Sequence, residues 1–249
     1  MTARAAAAGS SARASCTDLA RIALFLIACA AAAPATAQVG LSASLVSDAR
    51  FRGYSLSEGR PVASFDFAYD ASSGLYLGGS LSGVLLRDGE PAPFGVQVDA
   101  GYARRVSSGT TLDFGITHSN YSHYSGRQRG TSYTELFAGI ARGGLSSRIF
   151  VSPHYFLPGR WTAYGEVDGH VSPADDWSID GHVGALVDLR TPAHGPVNRP
   201  GVDWSAGVTR QLGRVALHAS WSDGAPGRDF YNRRHHSRSA LVFGASMPL

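Results

Sequence analysis

This chain of 249 residues has only two cysteines and no lysine. Its two cysteines, Cys16 and Cys29, both fall within the first 37 residues, and every one of its 22 basic residues is arginine. If the first 37 residues are removed, the remaining chain has no thiol. That excludes a disulfide framework and a thiolate metal site from the mature protein.

Long hydrophobic runs are also missing beyond residue 37. No later stretch approaches the ~18 consecutive apolar residues of a membrane-spanning helix, and no stretch of useful length has the helical period. The one apolar run, residues 22–33, follows Arg4, Arg13 and Arg21 and precedes Ala35-Thr36-Ala37. This pattern predicts a secretory signal peptide over residues 1–37, cleaved after Ala37.

A lipoprotein signal is the alternative for the N-terminus. Leu26-Ile27-Ala28-Cys29 resembles a lipobox, which would make Cys29 the lipidated first residue. The apolar core before Cys29 would then be short, so cleavage after Ala37 is favoured.

A surplus of charge is absent as well. The net charge of +3 falls to +1 when the signal is removed, because three arginines and one aspartate leave with it. The sequence pI near 9.0 is therefore no argument for a nucleic-acid partner.

Strict alternation of polar and apolar residues is what the chain has instead. Over residues 47–70 it predicts two strands joined by a turn at residues 55–60. Ala49 and Phe51 oppose Arg50 and Arg52 in the first strand. A face carrying arginines and aspartates cannot form a dry core. One apolar face and one charged face suit a barrel with a wet lumen and a lipid-facing wall.

The same region resembles a known family. The resemblance to the N-terminal signature of the proteobacterial Gcw_chp proteins, also called TorF-type porins, is carried by Ser47-Asp48, Phe51-Arg52-Gly53-Tyr54-Ser55, Gly59-Arg60-Pro61, Phe65-Asp66 and Gly74-Leu75-Tyr76-Leu77-Gly78. Weaker echoes occur at Ser132-Tyr133-Thr134-Glu135 and Val202-Asp203-Trp204-Ser205. The resemblance implies an outer-membrane barrel and does not imply a substrate.

Alternation continues along the rest of the chain and predicts about twelve strands in residues 38–249. Short and long connections occur in turn, which places both termini on the periplasmic side of the outer membrane. The predicted fold is all-β: a single transmembrane, antiparallel, up-and-down β-barrel. A soluble β-sandwich or small lipocalin-like barrel shares the alternation and is the alternative.

The last predicted strand ends at the C-terminus. Leu241, Phe243, Ala245, Met247 and Leu249 occupy every second position, which resembles the C-terminal signal that outer-membrane barrels present to the barrel-assembly machinery. A terminal Phe is more usual there than Leu249.

Twelve charged residues are predicted to point into the lumen: Asp48, Arg50, Arg52, Asp66, Asp99, Asp113, Glu135, Arg148, Glu166, Asp168, Asp180 and Asp188. They would form either a charged constriction that filters solutes or a ladder of salt bridges that fills a narrow barrel. Both signs are present, so no strong ion preference is expected.

An enzyme is disfavoured, and so is a metal site. The candidate hydrolase pairs, His123/Ser125 and His235/Ser237, lie in predicted loops, while His118 and Ser119 fall on opposite faces of a strand. His170, His182 and His218 stand singly, without the spacing of ligands on one strand. No cofactor is expected.

Two features of the surface complete the expectations. Trp161, Trp177, Trp204 and Trp221 lie near strand ends, as interfacial anchors do. Eleven arginines are assigned to the long-loop rim, Arg160 among them. Arg228, Arg233, Arg234 and Arg238 are the candidates for contact with lipopolysaccharide phosphates. The alternatives are that they draw anionic solutes to the mouth by field focusing, or that they only keep a loop solvated.

The predicted function is passive diffusion of small hydrophilic solutes through an outer-membrane porin. A closed structural or adhesive barrel and, less favoured, a lipid-modifying hydrolase are the alternatives. Membrane lipids are the expected partners.

Overall fold

A computed structural model describes residues 38–122, 131–190, 201–224 and 239–249. The predicted signal peptide lies outside these residues and stays a prediction. Within the described part, no helix is long and apolar enough to cross a membrane, a finding that does not bear on crossing by strands.

All regular structure in the described residues is β. The strands are β1 (Gln38–Val46), β2 (Arg50–Phe51), β3 (Tyr54–Ser55), β4 (Val62–Asp70), β5 (Leu75–Leu85), β6 (Pro91–Ser107), β7 (Thr110–Tyr121), β8 (Thr131–Arg142), β9 (Leu145–Ser152), β10 (Trp161–Ala174), β11 (Trp177–Arg190), β12 (Gly201–Leu212), β13 (Val215–Gly224) and β14 (Ala240–Pro248).

Twelve of these strands, β1 and β4 to β14, close into one antiparallel barrel. Strands adjacent in sequence are adjacent in the sheet, and β1 closes the barrel by pairing with both β4 and β14. Ser42, for example, stands opposite Asp66 on one side and Pro248 on the other. Closure leaves no sheet edge unpaired, and it confirms the predicted up-and-down barrel of about twelve strands.

The connections alternate in length as the sequence predicts. Five turns of two to four residues lie at one end of the barrel: residues 71–74, 108–109, 143–144, 175–176 and 213–214. The other end carries six connections of five to fifteen residues: 47–61, 86–90, 122–130, 153–160, 191–200 and 225–239. Both ends of the barrel sheet, Gln38 and Pro248, lie on the short-turn side.

The two faces of the wall differ in polarity. The outer face exposes apolar side chains from strands all round the barrel, among them Leu41, Phe65, Leu81, Phe114, Ile149 and Phe243. Trp161 and Trp177, the first residues of β10 and β11, are exposed at opposite ends of the wall. A solvent-facing apolar belt of this extent marks a lipid interface, in keeping with an outer-membrane barrel.

Two predicted strand boundaries are wrong. β1 ends at Val46 rather than continuing to Arg52, and residues 47–61 instead form a loop containing the small β2–β3 ribbon. The alternation of Leu145, Ile149, Val151 and Tyr155 predicts that Tyr155 lies on the outer face, but β9 ends at Ser152 and Tyr155 is buried inside the barrel. In both places the alternation of polar and apolar residues continues past the end of the strand. Alternation records the polarity of the side chains, and it does not show where the backbone turns away from the sheet.

Candidate functional site: the barrel lumen

The loop of residues 47–61 folds back into the barrel and forms the centre of the site. Its β2–β3 ribbon pairs Arg50 with Ser55 and Phe51 with Tyr54. The two residues at the tip, Arg52 and Gly53, have φ values of 50° and 77°. Positive φ at both central positions is the mark of a type I′ turn. Arg52 holds this conformation without being glycine, so other contacts must fix it.

Asp48 organises the base of this loop. Its Oδ1 accepts hydrogen bonds from Ser55 Oγ, from Ser57 Oγ at 2.9 Å and from the Gly59 amide at 3.1 Å. Its Oδ2 accepts one from Arg50 at 3.3 Å. Charge-assisted bonds to a buried carboxylate are stronger than neutral ones, so the loop has an internal reason to hold one shape.

Arg52 ties the tip of the loop to the opposite wall. Its two terminal nitrogens donate to both carboxylate oxygens of Glu135 on β8, at 2.9 and 2.8 Å. The two side chains are only 5% and 3% exposed. A buried bidentate pair of this kind is costly to break from one side. We call this pair the Arg52–Glu135 latch.

Aromatic rings surround the guanidinium of the latch. It lies 3.9 Å from the ring centre of Tyr164, 4.6 Å from Phe51, 5.2 Å from Tyr155 and 5.3 Å from Phe150. The faces of these rings attract the cationic guanidinium and take the place of the water that would otherwise surround it. Burial raises the pKa of the Tyr155 phenol, which stays neutral beside the ion pair.

A second loop, residues 153–160, packs against the first. Tyr155 and Phe156 are buried, and with Leu56, Tyr133 and Tyr164 they belong to one apolar cluster inside the barrel. Arg160 is also buried and pairs with Asp188 at 2.6 Å. Its assignment to the solvated rim is therefore wrong: Arg160 lies inside the barrel, held by a carboxylate that the sequence could not pair with it.

Beside these loops the lumen keeps a cavity of about 770 Å³. Of the charged residues predicted to point inward, seven line it: Asp48, Arg50, Arg52, Asp99, Glu135, Arg148 and Glu166. The first three reach it from the inward loop and its β2–β3 ribbon and not from a strand of the barrel wall, and in this respect their predicted placement is wrong.

The other predicted lumenal residues lie close by. Asp113 accepts hydrogen bonds from Tyr76 at 2.7 Å and from Arg148 at 2.7 Å. Asp180 lies 3.8 Å from His218, and Asp66 opposes the exposed Phe65 on β4. Asp188 is ion-paired to Arg160, and Asp168 lies 2.7 Å from His182 Nδ1. Their role in filtering solutes stays a prediction.

A polar network on β10, β11 and β12 went unnoticed in the sequence. His182 Nδ1 lies 2.7 Å from Asp168, and its Nε2 lies 3.0 Å from Asp203, which also accepts from Tyr164 at 3.1 Å. Spacing along one strand could not reveal it, because the three carriers sit on three neighbouring strands. The one signal in the sequence is that Asp203 lies in the segment Val202-Asp203-Trp204-Ser205, which weakly resembles the family.

Three of the lumenal groups could hold a metal ion. The ligand atoms of Glu166, Asp168 and His182 lie within 4.8 Å of one another. Carboxylate oxygens with one imidazole suit a divalent cation. Both nitrogens of His182 already have carboxylate partners, however, so the cluster is satisfied without one.

The hydrolase pairs gain no support. His118 is exposed on the outer face and bonded to Thr134, whereas Ser119 is buried in the lumen. They therefore point to opposite faces, as predicted. His123/Ser125 and His235/Ser237 lie outside the described residues. So do the rim candidates Arg228, Arg233, Arg234 and Arg238.

Comparison with protein families places the chain. The model of the Gcw_chp family, described as a bacterial protein of unknown function, matches residues 29–241. The chain belongs to the Gcw_chp family. The resemblance seen in the N-terminal signature is thereby confirmed, and the structure places residues 51–55 of that signature in the inward loop. A search of the curated proteins finds no significant match to this Gcw_chp chain.

Solved porin structures share the fold of this Gcw_chp barrel. The KdgM porin matches with a TM-score of 0.52 and 10% identity, over 84% of this chain and 98% of that one. The NanC porin matches with a TM-score of 0.53 and 10% identity, over 85% of this chain and 100% of that one. At such identity the likeness concerns the outer-membrane barrel fold and not the solute.

Proposed function

We propose that this protein is a diffusion channel for small hydrophilic solutes, narrowed by the inward loop of residues 47–61. The observation that carries the proposal is the position of that loop. It crosses the lumen to Glu135, while a cavity of about 770 Å³, lined in part by charged residues, remains beside it. Porins control passage by pore diameter and by the groups that line the narrow point.

The polarity of the two faces supports this proposal over a soluble barrel. Apolar side chains cover the outside, whereas the cavity lining includes charged groups, the amide of Gln97 and the hydroxyls of Thr117, Ser205 and Ser220. A barrel that carries water keeps this inside-out polarity.

A closed structural barrel is the competing function, and it too has an observation in its favour. The latch and the cluster of Leu56, Tyr133, Tyr155 and Phe156 fill the long-loop end of the lumen. Buried ion pairs fix one arrangement. The same groups would seal a closed barrel or narrow an open channel. A transport measurement is therefore needed to distinguish the two functions.

Swelling of liposomes containing the purified protein provides that measurement. Neutral sugars of increasing size should enter at rates that fall with size, since the loop leaves only a narrow path. Liposomes with heat-unfolded protein serve as the control. Swelling no faster than this control for the smallest sugar, and for a variant with the latch removed, would establish a closed barrel.

Orientation and partners belong to the same proposal. We place both termini in the periplasm and the long loops outside, with membrane lipids around the apolar belt. Recognition of β14 by the barrel-assembly machinery and of lipopolysaccharide by the rim arginines are proposals that rest on the sequence.

A further inference from the structure

The charges inside the barrel are unequal in number. Apart from exposed residues at the strand ends and the rim pair Arg60–Glu58, the described lumen holds four arginines: Arg50, Arg52, Arg148 and Arg160. Against them stand ten carboxylates: Asp48, Asp66, Asp99, Asp113, Glu135, Glu166, Asp168, Asp180, Asp188 and Asp203. The surplus is acidic by six groups, although the mature chain as a whole is nearly neutral.

Each arginine is already matched by one of these acids. Arg50 pairs with Asp48 at 3.3 Å, Arg52 with Glu135 at 2.8 Å, Arg148 with Asp113 at 2.7 Å and Arg160 with Asp188 at 2.6 Å. Six carboxylates remain that no arginine of the described residues matches: Asp66, Asp99, Glu166, Asp168, Asp180 and Asp203.

Four of the six lie together on β10, β11 and β12. His182 bridges Asp168 and Asp203, at 2.7 and 3.0 Å. A protonated His182 would balance one of these two carboxylates and leave three on the same wall: the other of the two, Glu166 and Asp180. Asp99, which also lines the cavity, faces this wall from β6. The negative surplus therefore does not depend on the state of one histidine.

We infer that the lumen selects cations, so that its solutes are small hydrophilic cations and not anions. This inference rests on the proposed function and names its substrate class. A narrow channel with low-dielectric walls focuses the field of its fixed charges and concentrates ions of opposite sign. The sequence suggested no ion preference because both signs were present. The structure indicates a preference for two reasons. Each lumenal arginine is neutralised by a carboxylate partner, and Asp203 joins the acidic residues of the lumen.

Reversal potentials across planar bilayers test the inference. Under a KCl gradient at low ionic strength, where screening is weakest, K⁺ should permeate about threefold or more better than Cl⁻. Asp99→Asn with Glu166→Gln should bring the ratio toward one. Asp176→Asn, in an exposed turn at the short-turn end, is the matched control and should leave it unchanged. A ratio at or below one in the wild type overturns the inference while leaving the channel intact.

A second readout needs no conduction. Electron paramagnetic resonance can measure Mn²⁺ taken up by the detergent-solubilised barrel at low salt. The wild type should take up Mn²⁺ and the Asp99→Asn, Glu166→Gln variant should lose most of it, whereas Asp176→Asn should retain it. Equal uptake by wild type and variant overturns the inference, even if the barrel conducts nothing and the proposed function has failed.

Discussion

Arg52 holds the tip of the inward loop through both its backbone conformation and its side-chain contacts. Its backbone holds a positive φ, its side chain makes a bidentate bond to Glu135, and four rings surround its guanidinium. Positive φ is costly for a residue with a Cβ. The bonds to Glu135 and the ring contacts offset the strain at Arg52. The conformation of the loop tip therefore depends on its side-chain contacts.

Breaking the latch from one side should destabilise the barrel. We expect Glu135→Gln to lower the free energy of unfolding by about 3 kcal/mol, because Arg52 would remain as a buried, half-satisfied charge. Urea unfolding followed by tryptophan fluorescence measures the change. Arg148→Gln is the comparison, since its pair with Asp113 has a half-exposed arginine and should cost less than about 1 kcal/mol. Equal costs for both variants would show that the latch contributes little.

Gly53 offers an independent test of the loop's position. A Cβ at Gly53 would stand 2.5 Å from the backbone of Gly224 and 2.9 Å from Asp203, at a φ that disfavours side chains. We expect Gly53→Ala to lower the free energy of unfolding by about 1–3 kcal/mol and to speed protease cleavage within residues 47–61. Gly59→Ala is the control, because its φ is also positive but nothing lies within 4 Å of the added carbon. Similar cleavage of both variants would mean that the close contact does not hold the loop.

At the scale of the elements, strands were predictable and inward loops were not. Alternation identifies a strand because every second side chain meets lipid, as Leu75, Leu77 and Leu81 of β5 do. The same rule failed at Ala49 and Phe51, whose spacing imitates a strand while the chain has already turned inward. Glu135 is 83 residues from Arg52, and nothing in either local pattern pairs them.

The alternation of short turns and long loops predicts orientation, and the absence of cysteine from residues 38–249 makes that orientation testable. Ser108→Cys lies in a short turn and Asp88→Cys in a long-side loop. A membrane-impermeant thiol reagent added to intact cells should label only Asp88→Cys, since the long loops face outward. Labelling of both after cell lysis is the control. The reverse pattern in intact cells would place the termini outside.

The rim prediction concerns residues 225–238, which lie outside the described residues. Replacing Arg233, Arg234 and Arg238 together by glutamine should weaken retention of lipopolysaccharide at low salt, because arginine forks bind phosphate oxygens. Co-purified lipopolysaccharide can be quantified after detergent extraction. Arg210→Gln, which removes an arginine packed on Trp177 near the short-turn end, is the control. Unchanged retention in the triple variant would leave this loop without a lipid role.

At the scale of the whole molecule, barrel closure, outer polarity and the fold shared with the KdgM and NanC porins agree on an outer-membrane barrel. Closure and outer polarity follow from sequence patterns that repeat along the chain. The lumen does not, since its cavity is shaped by contacts between distant segments: residues 47–61, residues 153–160 and the wall of β8 to β12. The proposed function therefore depends on the lumen, which the alternation of polar and apolar residues does not predict.

Single-channel conductance tests the central claim most directly, because it asks whether the inward loop narrows an open path. Wild type, Arg52→Asn and Asp176→Asn would be compared in planar bilayers. Asparagine tolerates the positive φ at position 52, so this variant removes the guanidinium, with its bonds to Glu135 and its ring contacts, without adding backbone strain. We predict small steps for wild type and Asp176→Asn, and larger steps for Arg52→Asn. An absence of steps in all three folded proteins would contradict the account and leave a closed structural barrel.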